Sequence, residues 1–290
     1  MTIIIVNILK TTISNSFLTA TFNKKGAELT ALNSKVKNYI WNGNVEFWDK
    51  HAPVLFPIVG TLKNNCYFYD NKAYYLSRHG FARDLDFEIV SKTNNSILFS
   101  LKNNEETLLS YPFEFELQIA YVLIKKQLKV SYKVQNFSNK SMPFSIGAHP
   151  AFALNEGFKN YSLAFEKDEK PSYFLLENNL ISEKSTVLEL INRQLNLNYN
   201  LFENDALVFK SIESEFITIL ENSKPFLKFS FRGFPNFGIW SKPNAPFICL
   251  EPWFGYSDTV KSGSDFLEKE GIQILKPHEI FESLYEIEIL

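Results

Sequence analysis

The sequence lacks the residue patterns that mark redox, zinc-finger and nucleotide-binding proteins. Its 290 residues include only two cysteines, Cys66 and Cys249, which stand far apart without a C-x-x-C spacing. This arrangement excludes a zinc ribbon or a thioredoxin-like motif and predicts two free thiols, with a single disulfide as the alternative. The 11 glycines form no G-x-G-x-x-G or P-loop pattern. A nucleotide-binding α/β fold is therefore not expected.

An excess of charge and long apolar runs are also absent. The formal net charge is −2 at pH 7, so no global field attracts nucleic acid or an anionic membrane. No apolar stretch approaches the roughly 18–20 residues of a membrane span. Residues 1–10 have no basic residue ahead of their apolar run and no Ala-x-Ala site, so they predict a first strand instead of a signal peptide. We expect a soluble, cytoplasmic protein without nucleic-acid or membrane partners.

Alternating apolar and polar residues dominate the chain. Apolar side chains occupy every second position over residues 113–123 and again over residues 128–134. This period predicts a long antiparallel hairpin with one buried face. Residues 86–101 predict a second hairpin that turns at Asn94-Asn95, and residues 281–289 predict a closing strand.

Helical signals are confined to two short segments. Residues 265–269, with Ser264 as a candidate N-cap and Gly271 beyond the end, predict a short helix, and a turn or two is expected within residues 183–192. No repeat or linker divides the chain, and 28 Phe and 13 Tyr favour pleated, half-buried surfaces. We predict an all-β fold: one large antiparallel β-sandwich forming a single domain over residues 1–290. One sheet should be concave and open to a ligand.

Three short motifs carry candidate acid/base chemistry. Two of the four histidines, His79 and His149, lie beside glycine or proline where strands give way to turns, in residues 78–84 and 147–150. Glu251 follows an apolar run, where a carboxylate is costly to bury unless it is hydrogen-bonded or used. Desolvation would raise its pKa towards the range in which a general base works. Purely structural roles, as satisfied core histidines and a buried glutamate, are the alternative.

Further candidates are polar or aromatic side chains in or near these motifs: Arg78, Arg83, Lys63, Asp205 and Trp253. Arg78 and Arg83 could hold hydroxyl groups of a polyol, and Lys63 is either a binding cation or an ordinary turn lysine. Asp205 enters an apolar strand from a polar turn and could either point into a site or cap that turn. Trp253 could stack on a sugar ring, although the aromatic core is the commoner place for such a residue. The other histidines, His51 and His278, lie in polar, loop-like stretches and receive no role.

At these motifs the chain resembles the aldose 1-epimerase (galactose mutarotase) family, particularly its shorter LacX-like bacterial branch. The resemblance covers nearly the whole chain and rests on the order and spacing of motifs that are individually weak. They are residues 26–29, 40–41, 48, 52–60, 79–84, 147–152, 204–206 and 247–255.

The resemblance implies a β-supersandwich that binds a sugar on its concave sheet. It assigns Glu251 as the base on the anomeric hydroxyl and His149 as the acid at the ring oxygen. His79 would assist at the ring, and Asp205 would hold the substrate. The implied reaction interconverts the α and β anomers of an aldohexose and requires neither metal nor nucleotide, because only protons move.

One family feature has no clean counterpart here. The site arginine of galactose mutarotases follows an asparagine after the glycine turn, whereas residues 60–63 of this chain read Gly-Thr-Leu-Lys. Lys63, Arg78 or Arg83 would then take its place, and the sugar preference stays open.

Three alternatives remain at this point. The three cations could instead bind the phosphate of a hexose 6-phosphate. The chain could be a sugar-binding protein that has lost turnover. His79, His149 and Glu251 could form a two-His, one-carboxylate metal site. The sequence is compatible with a monomer or a homodimer.

Overall fold

The computed structural model describes residues 10–290, so the strand predicted for residues 1–10 falls outside the described residues except for Lys10. The described chain consists of 24 strands, one short α-helix, α1 (Glu105–Ser110), and four 3-10 turns. In chain order the strands are β1 (Thr11–Ser14), β2 (Thr19–Phe22), β3 (Leu29–Asn33), β4 (Val54–Leu55), β5 (Cys66–Tyr69), β6 (Lys72–Tyr75), β7 (Glu88–Lys92), β8 (Ser96–Lys102), β9 (Phe115–Ile124), β10 (Gln127–Asn136), β11 (Met142–Phe144), β12 (Ile146–Ala148), β13 (Ala151–Ala153), β14 (Tyr161–Phe165), β15 (Ser172–Glu177), β16 (Leu180–Val187), β17 (Gln194–Asn196), β18 (Leu207–Phe209), β19 (Phe216–Glu221), β20 (Lys224–Ser230), β21 (Asn236–Trp240), β22 (Phe247–Phe254), β23 (Gln273–Leu275) and β24 (Ile280–Ile289).

Two large antiparallel sheets account for most of these strands. The first has nine strands in the order β17-β14-β19-β20-β24-β10-β9-β8-β7. The second has eight, in the order β16-β15-β18-β21-β22-β12-β4, with β13 also paired to β22. Smaller sheets comprise β1-β2-β3, β5-β6 and β11-β23. The predicted all-β antiparallel sandwich is confirmed.

Period-2 alternation produces the nine-stranded sheet. Strands β9 and β10 pair over their full lengths and bury every second side chain, and β24 extends the same pattern on the far side of β10. The hairpin of β7 and β8 also forms, as its sequence predicts. Each fully buried apolar side chain contributes about 1.5–3 kcal/mol relative to exposure, so the alternation fixes which face turns inward. The largest cluster of buried residues runs along the chain from Ile13 to Ile289.

The helical predictions are wrong. Residues 265–269 form turns instead. The Phe68 N–H donates to the Ser264 carbonyl at 2.6 Å, the Phe266 N–H donates to the Phe68 carbonyl at 3.0 Å, and the Phe266 ring packs 4.0 Å from that of Tyr67. Residues 183–187 continue strand β16, which pairs with β15. The α-helix that does form was not predicted; Asn104 and Thr107 close its first turn as a capping box. No helix within residues 10–290 has the length and apolar content needed to cross a membrane.

Candidate active site

A cavity of about 410 Å³ opens on one face of the eight-stranded sheet. This volume lies within the range of small-molecule sites. Its floor includes Glu251, His149 and His79. An apolar cluster flanks this polar centre on each side, one built around Trp41 and Phe247 and the other around Trp253 and Tyr256. The cavity therefore offers ionisable groups inside an aromatic wall.

Glu251 lies in the middle of strand β22, opposite Gly238 of β21. Side chains of a strand alternate between its faces, so Cys249, Glu251 and Trp253 lie on the same face of β22, and Glu251 and Trp253 line the cavity. Glu251 is 2% exposed. The flanking strands β21 and β12 take up the backbone hydrogen bonds of this segment, so its position is set by the sheet.

His149 reaches Glu251 because the chain passes along one side of β22 twice. Strand β12 pairs with the end of β22, and β13 pairs with its beginning. His149 and Pro150 connect these two strands, and the Pro150 carbonyl accepts a hydrogen bond from Leu250 N–H at 3.3 Å. Nε2 of His149 lies 3.2 Å from Oε2 of Glu251. The pair is close enough to pass a proton directly.

Two indoles hold the His149 ring. Trp48 stacks on the imidazole with ring centroids 4.9 Å apart, and Trp240 meets it edge-on at 5.7 Å. Burial lowers the pKa of His149 from 6.5 to about 3, and the positive charges of Arg78 and Arg83 act in the same direction. Nδ1 of His149 is buried and has no hydrogen-bond partner among the described residues.

The proton of the pair belongs preferentially to the carboxyl group. Burial raises the pKa of Glu251 well above its usual value, Arg78 partly offsets this, and the charge of Asp205 raises it further. With the pKa of His149 lowered, the resting pair is a protonated Glu251 beside a neutral imidazole. This form holds the same number of protons as a carboxylate beside an imidazolium. A single transfer along the 3.2 Å contact interconverts the two forms.

His79 stands beside His149, with ring centroids 5.8 Å apart. It occupies a turn with φ +68°, and Phe56 and Gly60 hold its backbone. The Gly60 N–H donates to Nδ1 of His79 at 3.1 Å. Burial lowers the pKa of this ring as well, with contributions from Arg78, His149 and Arg83. The imidazole is thus neutral and fixed in orientation.

A buried ion pair supports the loop that carries Gly60. Nζ of Lys269 donates to Asp258 Oδ1 at 2.7 Å, and Asp258 Oδ2 accepts from the Lys63 N–H at 2.8 Å. Asp258 N–H also donates to the Thr61 carbonyl at 2.9 Å. Both charged side chains are almost fully buried. This network links the segment that follows strand β22 to the turn at Gly60, which positions His79.

Arg78 bridges three parts of the cavity rim. Its Nε lies 3.1 Å from Nε2 of His79, Nη1 donates to Asn179 Oδ1 at 3.0 Å, and Nη2 lies 3.9 Å from Asp205 Oδ2. Arg83 sits behind it and donates from Nη2 to the Arg78 carbonyl at 2.8 Å. The two guanidinium groups therefore converge on one side of the cavity.

Of the eight residues that the sequence singles out, seven line this cavity: His79, His149, Glu251, Arg78, Arg83, Asp205 and Trp253. Lys63 is not among the lining residues. Its ammonium donates to the Val260 carbonyl at 2.9 Å, beneath the loop. The structure thus places Arg78 and Arg83, and not Lys63, in the cavity with His149 and Glu251.

Trp253 lies flat across two glycines of the neighbouring strands. A Cβ at Gly147 would overlap Cδ1 of the indole, and a Cβ at Gly238 would overlap Cη2. Gly147, two positions before His149, and Gly238 therefore make room for the Trp253 indole. The indole Nε1 is buried without a partner among the described residues.

Sequence reasoning missed several lining residues, among them Trp240, Lys242 and Ser257. Trp240 lies two positions after Gly238 and so shares the face that meets Glu251, but this follows from the register of β21 and β22, which the sequence does not show. Ser257 had no sequence signal either, since its contact with the Thr61 N–H at 2.9 Å joins distant parts of the chain.

Metal-binding side chains group differently from the sequence-based alternative. In the described part of the chain, the one cluster of three such groups is His149, Cys249 and Glu251, whose ligand atoms lie within 4.8 Å of one another. His79 does not belong to it. Both cysteines are free thiols.

Comparisons with known proteins agree with this architecture. A family model described as aldose 1-epimerase matches residues 10–269. The chain is 34% identical over 298 residues to a protein named LacX from Lactococcus lactis subsp. lactis, covering 96% of this chain and 98% of that protein.

Two solved structures share the fold over nearly their whole length. A galactose mutarotase related enzyme from Lactobacillus acidophilus superposes with a TM-score of 0.93 at 32% identity, covering 97% of each chain. A galactose mutarotase-like protein from Lactobacillus casei gives 0.91 at 31% identity, covering 97% of this chain and all of that one.

Proposed function

The chain belongs to the aldose 1-epimerase family, and from this premise we propose which side chains interconvert the α and β anomers of its sugar. The protein is an isomerase that acts on a carbohydrate. One observation carries the assignment of roles: Glu251 and His149 meet at 3.2 Å on the floor of the cavity. Ring opening needs one group to take the C1 hydroxyl proton and another to protonate the ring oxygen, and this pair supplies both.

Glu251 is the base and His149 the acid of the ring-opening step. The resting proton on Glu251 first passes to Nε2 of His149, which leaves a carboxylate beside an imidazolium. Glu251 then removes the C1 hydroxyl proton while His149 protonates the ring oxygen, and the bond between C1 and that oxygen breaks. Rotation about the C1–C2 bond and reversal of the two transfers close the other anomer. No proton is gained or lost overall.

His79, Arg78 and Asp205 hold the substrate. The Nε2–H of His79 and the Arg78 guanidinium can donate to sugar oxygens, and Asp205 can accept from a hydroxyl. Arg78 also stabilises the carboxylate that forms on Glu251, since its charge already opposes the rise in the pKa of that group. The indoles of Trp48, Trp240 and Trp253 would pack on the apolar face of the ring.

Polarimetry tests this proposal. Freshly dissolved α-glucose and α-galactose should reach anomeric equilibrium faster with the protein than without it, and a Glu251→Gln variant should lose most of the acceleration. Equal rates with wild type and variant would contradict the assignment of the base.

A sugar phosphate is a second candidate substrate, favoured by the convergence of Arg78 and Arg83. Burial lowers the pKa of the Arg83 guanidinium, and Asp84 opposes this effect. Burying such a charge is costly, and a dianionic phosphate would offset the cost through charge-assisted hydrogen bonds. Glucose 6-phosphate in the same assay separates the candidates: a phosphate site predicts a higher kcat/KM that an Arg78→Gln variant abolishes.

We also propose a single domain over residues 1–290 and a cytoplasmic role in carbohydrate metabolism. The continuous cluster of buried residues from Ile13 to Ile289 supports the first. The free thiols Cys66 and Cys249 support the second, because paired cysteines are typical of oxidising compartments. Sedimentation of the purified protein would distinguish a monomer from a homodimer.

A further inference from the structure

Cys249 lies next to the acid/base pair and takes no part in the proposed reaction. It precedes Glu251 by two positions on the same face of strand β22 and is fully buried. Its thiol, a ring nitrogen of His149 and a carboxylate oxygen of Glu251 all lie within 4.8 Å of one another. The proposed mutarotation exchanges protons between the sugar and two protein groups, Glu251 and His149, and gives the neighbouring thiol no role.

We propose that this triad binds Zn²⁺ as a reversible inhibitor that competes with the sugar. The inference rests on the proposed function, because the ion would occupy the groups assigned there as base and acid. Nitrogen, sulfur and carboxylate oxygen are the donors that zinc takes in proteins, whereas Mg²⁺ and Ca²⁺ prefer oxygen alone.

The spacing suits an ion at the centre of the triad. In tetrahedral coordination, zinc bonds of about 2.0–2.3 Å hold two ligand atoms about 3.3–3.6 Å apart. Side-chain rotations that shorten the separations in the triad by about 1 Å would therefore bring all three groups into range. Nδ1 of His149 has no hydrogen-bond partner among the described residues. The imidazole can therefore rotate towards the ion without breaking a hydrogen bond at that nitrogen. Three protein ligands with the cavity on the fourth side correspond to an open zinc site.

Binding would arrest catalysis by a simple exchange. Zn–S, Zn–N and Zn–O bonds form, and the thiol proton and the shared proton of the pair leave to the buffer. Glu251 then has no free lone pair directed at the C1 hydroxyl, and His149 has no proton for the ring oxygen. A bound sugar would occupy the same space, so the two should exclude each other.

Titration of the metal-free enzyme with zinc chloride tests the proposal. Calorimetry should give one zinc per chain, and zinc should raise Tm because it binds only the folded state. The initial rate of mutarotation should fall with added zinc, recover with EDTA and be protected by high sugar concentration. Calorimetry and Tm do not depend on turnover, so a chain without activity but with tight zinc binding would refute the function and not the site.

Cys249→Ser is the decisive variant, with Cys66→Ser as its matched control. Loss of a second-shell partner already weakens metal binding by about 10–100-fold, so loss of the thiolate should raise the inhibitory zinc concentration at least 10-fold while the metal-free rate stays near wild type. Cys66 lies half-buried on β5, outside the cavity, and its variant should behave as wild type. Equal inhibition of both variants would overturn the proposal.

A spectroscopic measurement on the wild-type protein tests the proposal even if the Cys249→Ser variant does not fold. Cadmium replaces zinc at thiolate sites and produces a sulfur-to-metal charge-transfer absorption in the ultraviolet. Wild-type enzyme with one equivalent of Cd²⁺ should show this band, and α-glucose or α-galactose should diminish it. Absence of the band in the wild-type protein would refute ligation by Cys249 even if Cys249→Ser does not fold.

Discussion

The Gly60 N–H donates a hydrogen bond to Nδ1 of His79 at 3.1 Å. A backbone amide can only donate, so Nδ1 carries no proton and the neutral ring must carry its proton on Nε2. Nε of Arg78 lies 3.1 Å from that nitrogen, and in this tautomer both atoms are donors. They cannot satisfy each other, but an oxygen that approaches both nitrogens from the cavity could accept from both. The arrangement is therefore suited to a substrate oxygen.

His79→Ala should lower kcat/KM by about 10²-fold, the lower range for removing a preorganised donor. His79→Gln should retain more activity, because its amide oxygen can accept from Gly60 and its NH2 can donate to the sugar. Neither variant should change the shape of the pH–rate profile, since burial lowers the pKa of His79 well below its ordinary value. Polarimetry across pH measures both effects. Loss of an ionisation in His79→Ala would show that this histidine titrates during catalysis.

Glu251→Gln should lower kcat by about 10²–10⁴-fold, as expected when a general base is removed, while KM changes little. The amide keeps the shape and hydrogen bonding of a group that is already protonated at rest, so thermal stability should stay close to wild type. Glu116→Gln, on the nine-stranded sheet, is the matched control and should keep full activity. An active but unstable Glu251→Gln protein would indicate a structural glutamate.

The rate should be insensitive to acid over the range in which an ordinary histidine titrates. The reactive pair holds one proton. A second proton is added only as the pH falls towards the His149 pKa of about 3, and the first is lost only above the raised pKa of Glu251. Between about pH 7 and pH 5, kcat/KM should therefore not fall once the uncatalysed rate is subtracted. An acid limb near the ordinary histidine pKa of 6.5 would contradict this protonation scheme.

Gly147→Ala should destabilise the protein by about 1–3 kcal/mol, the usual cost of overpacking, because its methyl group would overlap the Trp253 indole. The displaced indole should also weaken sugar binding. Gly263→Ala is a suitable control, since nothing lies within 4 Å of its Cβ position, and surface changes of this kind stay within about 0.5 kcal/mol. Urea unfolding of the three proteins compares them. Equal stability would show that the sheet relaxes around the indole.

Lys269→Met should cost about 3–5 kcal/mol, because it leaves Asp258 buried without its partner. Among molecules that still fold, kcat should also fall, as the Lys63 and Thr61 contacts that fix Gly60 loosen. Lys37→Met removes a half-exposed pair with Glu221 and should cost at most about 1 kcal/mol. Measured Tm and active-site titration separate the two effects. An unchanged rate per folded molecule would limit the ion pair to stability.

Local alternation was sufficient to predict the long strands β8, β9, β10 and β24, because a half-buried strand has an apolar residue at every second position. Long strand pairs such as β9 and β10 can therefore be predicted from the sequence. Strands that are buried on both faces, such as β22, or that lie at a sheet edge, such as β16, show no such alternation. The predicted helix at residues 265–269 failed for the opposite reason: its backbone hydrogen bonds go to Phe68, almost 200 positions earlier. A propensity of a few tenths of a kcal/mol per residue does not outweigh such a pairing.

The sequence predicted those site residues whose type is unusual for their sequence context. A carboxylate amid the apolar residues of β22 draws attention to Glu251, and turn residues mark His79 and His149. Lys63 could not be separated from Arg78 by sequence, because which cation faces the cavity depends on how the loop folds back. In the sequence, Asp258 and Lys269 look like ordinary surface charges. Their burial depends on how the chain packs after the end of strand β22, which the sequence does not show.

The turn at His79, the connection at His149 and the strand at Glu251 come from three distant stretches. They are joined on one side of β22, where β12 and β13 pair with it, β4 pairs with β12, and Phe56 next to β4 bridges to Gly80. Within the described residues, none of the hairpins contains two of these three side chains. Recovery of activity therefore reports when the long-range strand pairs form during refolding. After dilution from denaturant, mutarotation should return later than any spectroscopic signal from the β9–β10 hairpin. For the same reason, a truncated chain that lacks any one of these three stretches should have no mutarotase activity.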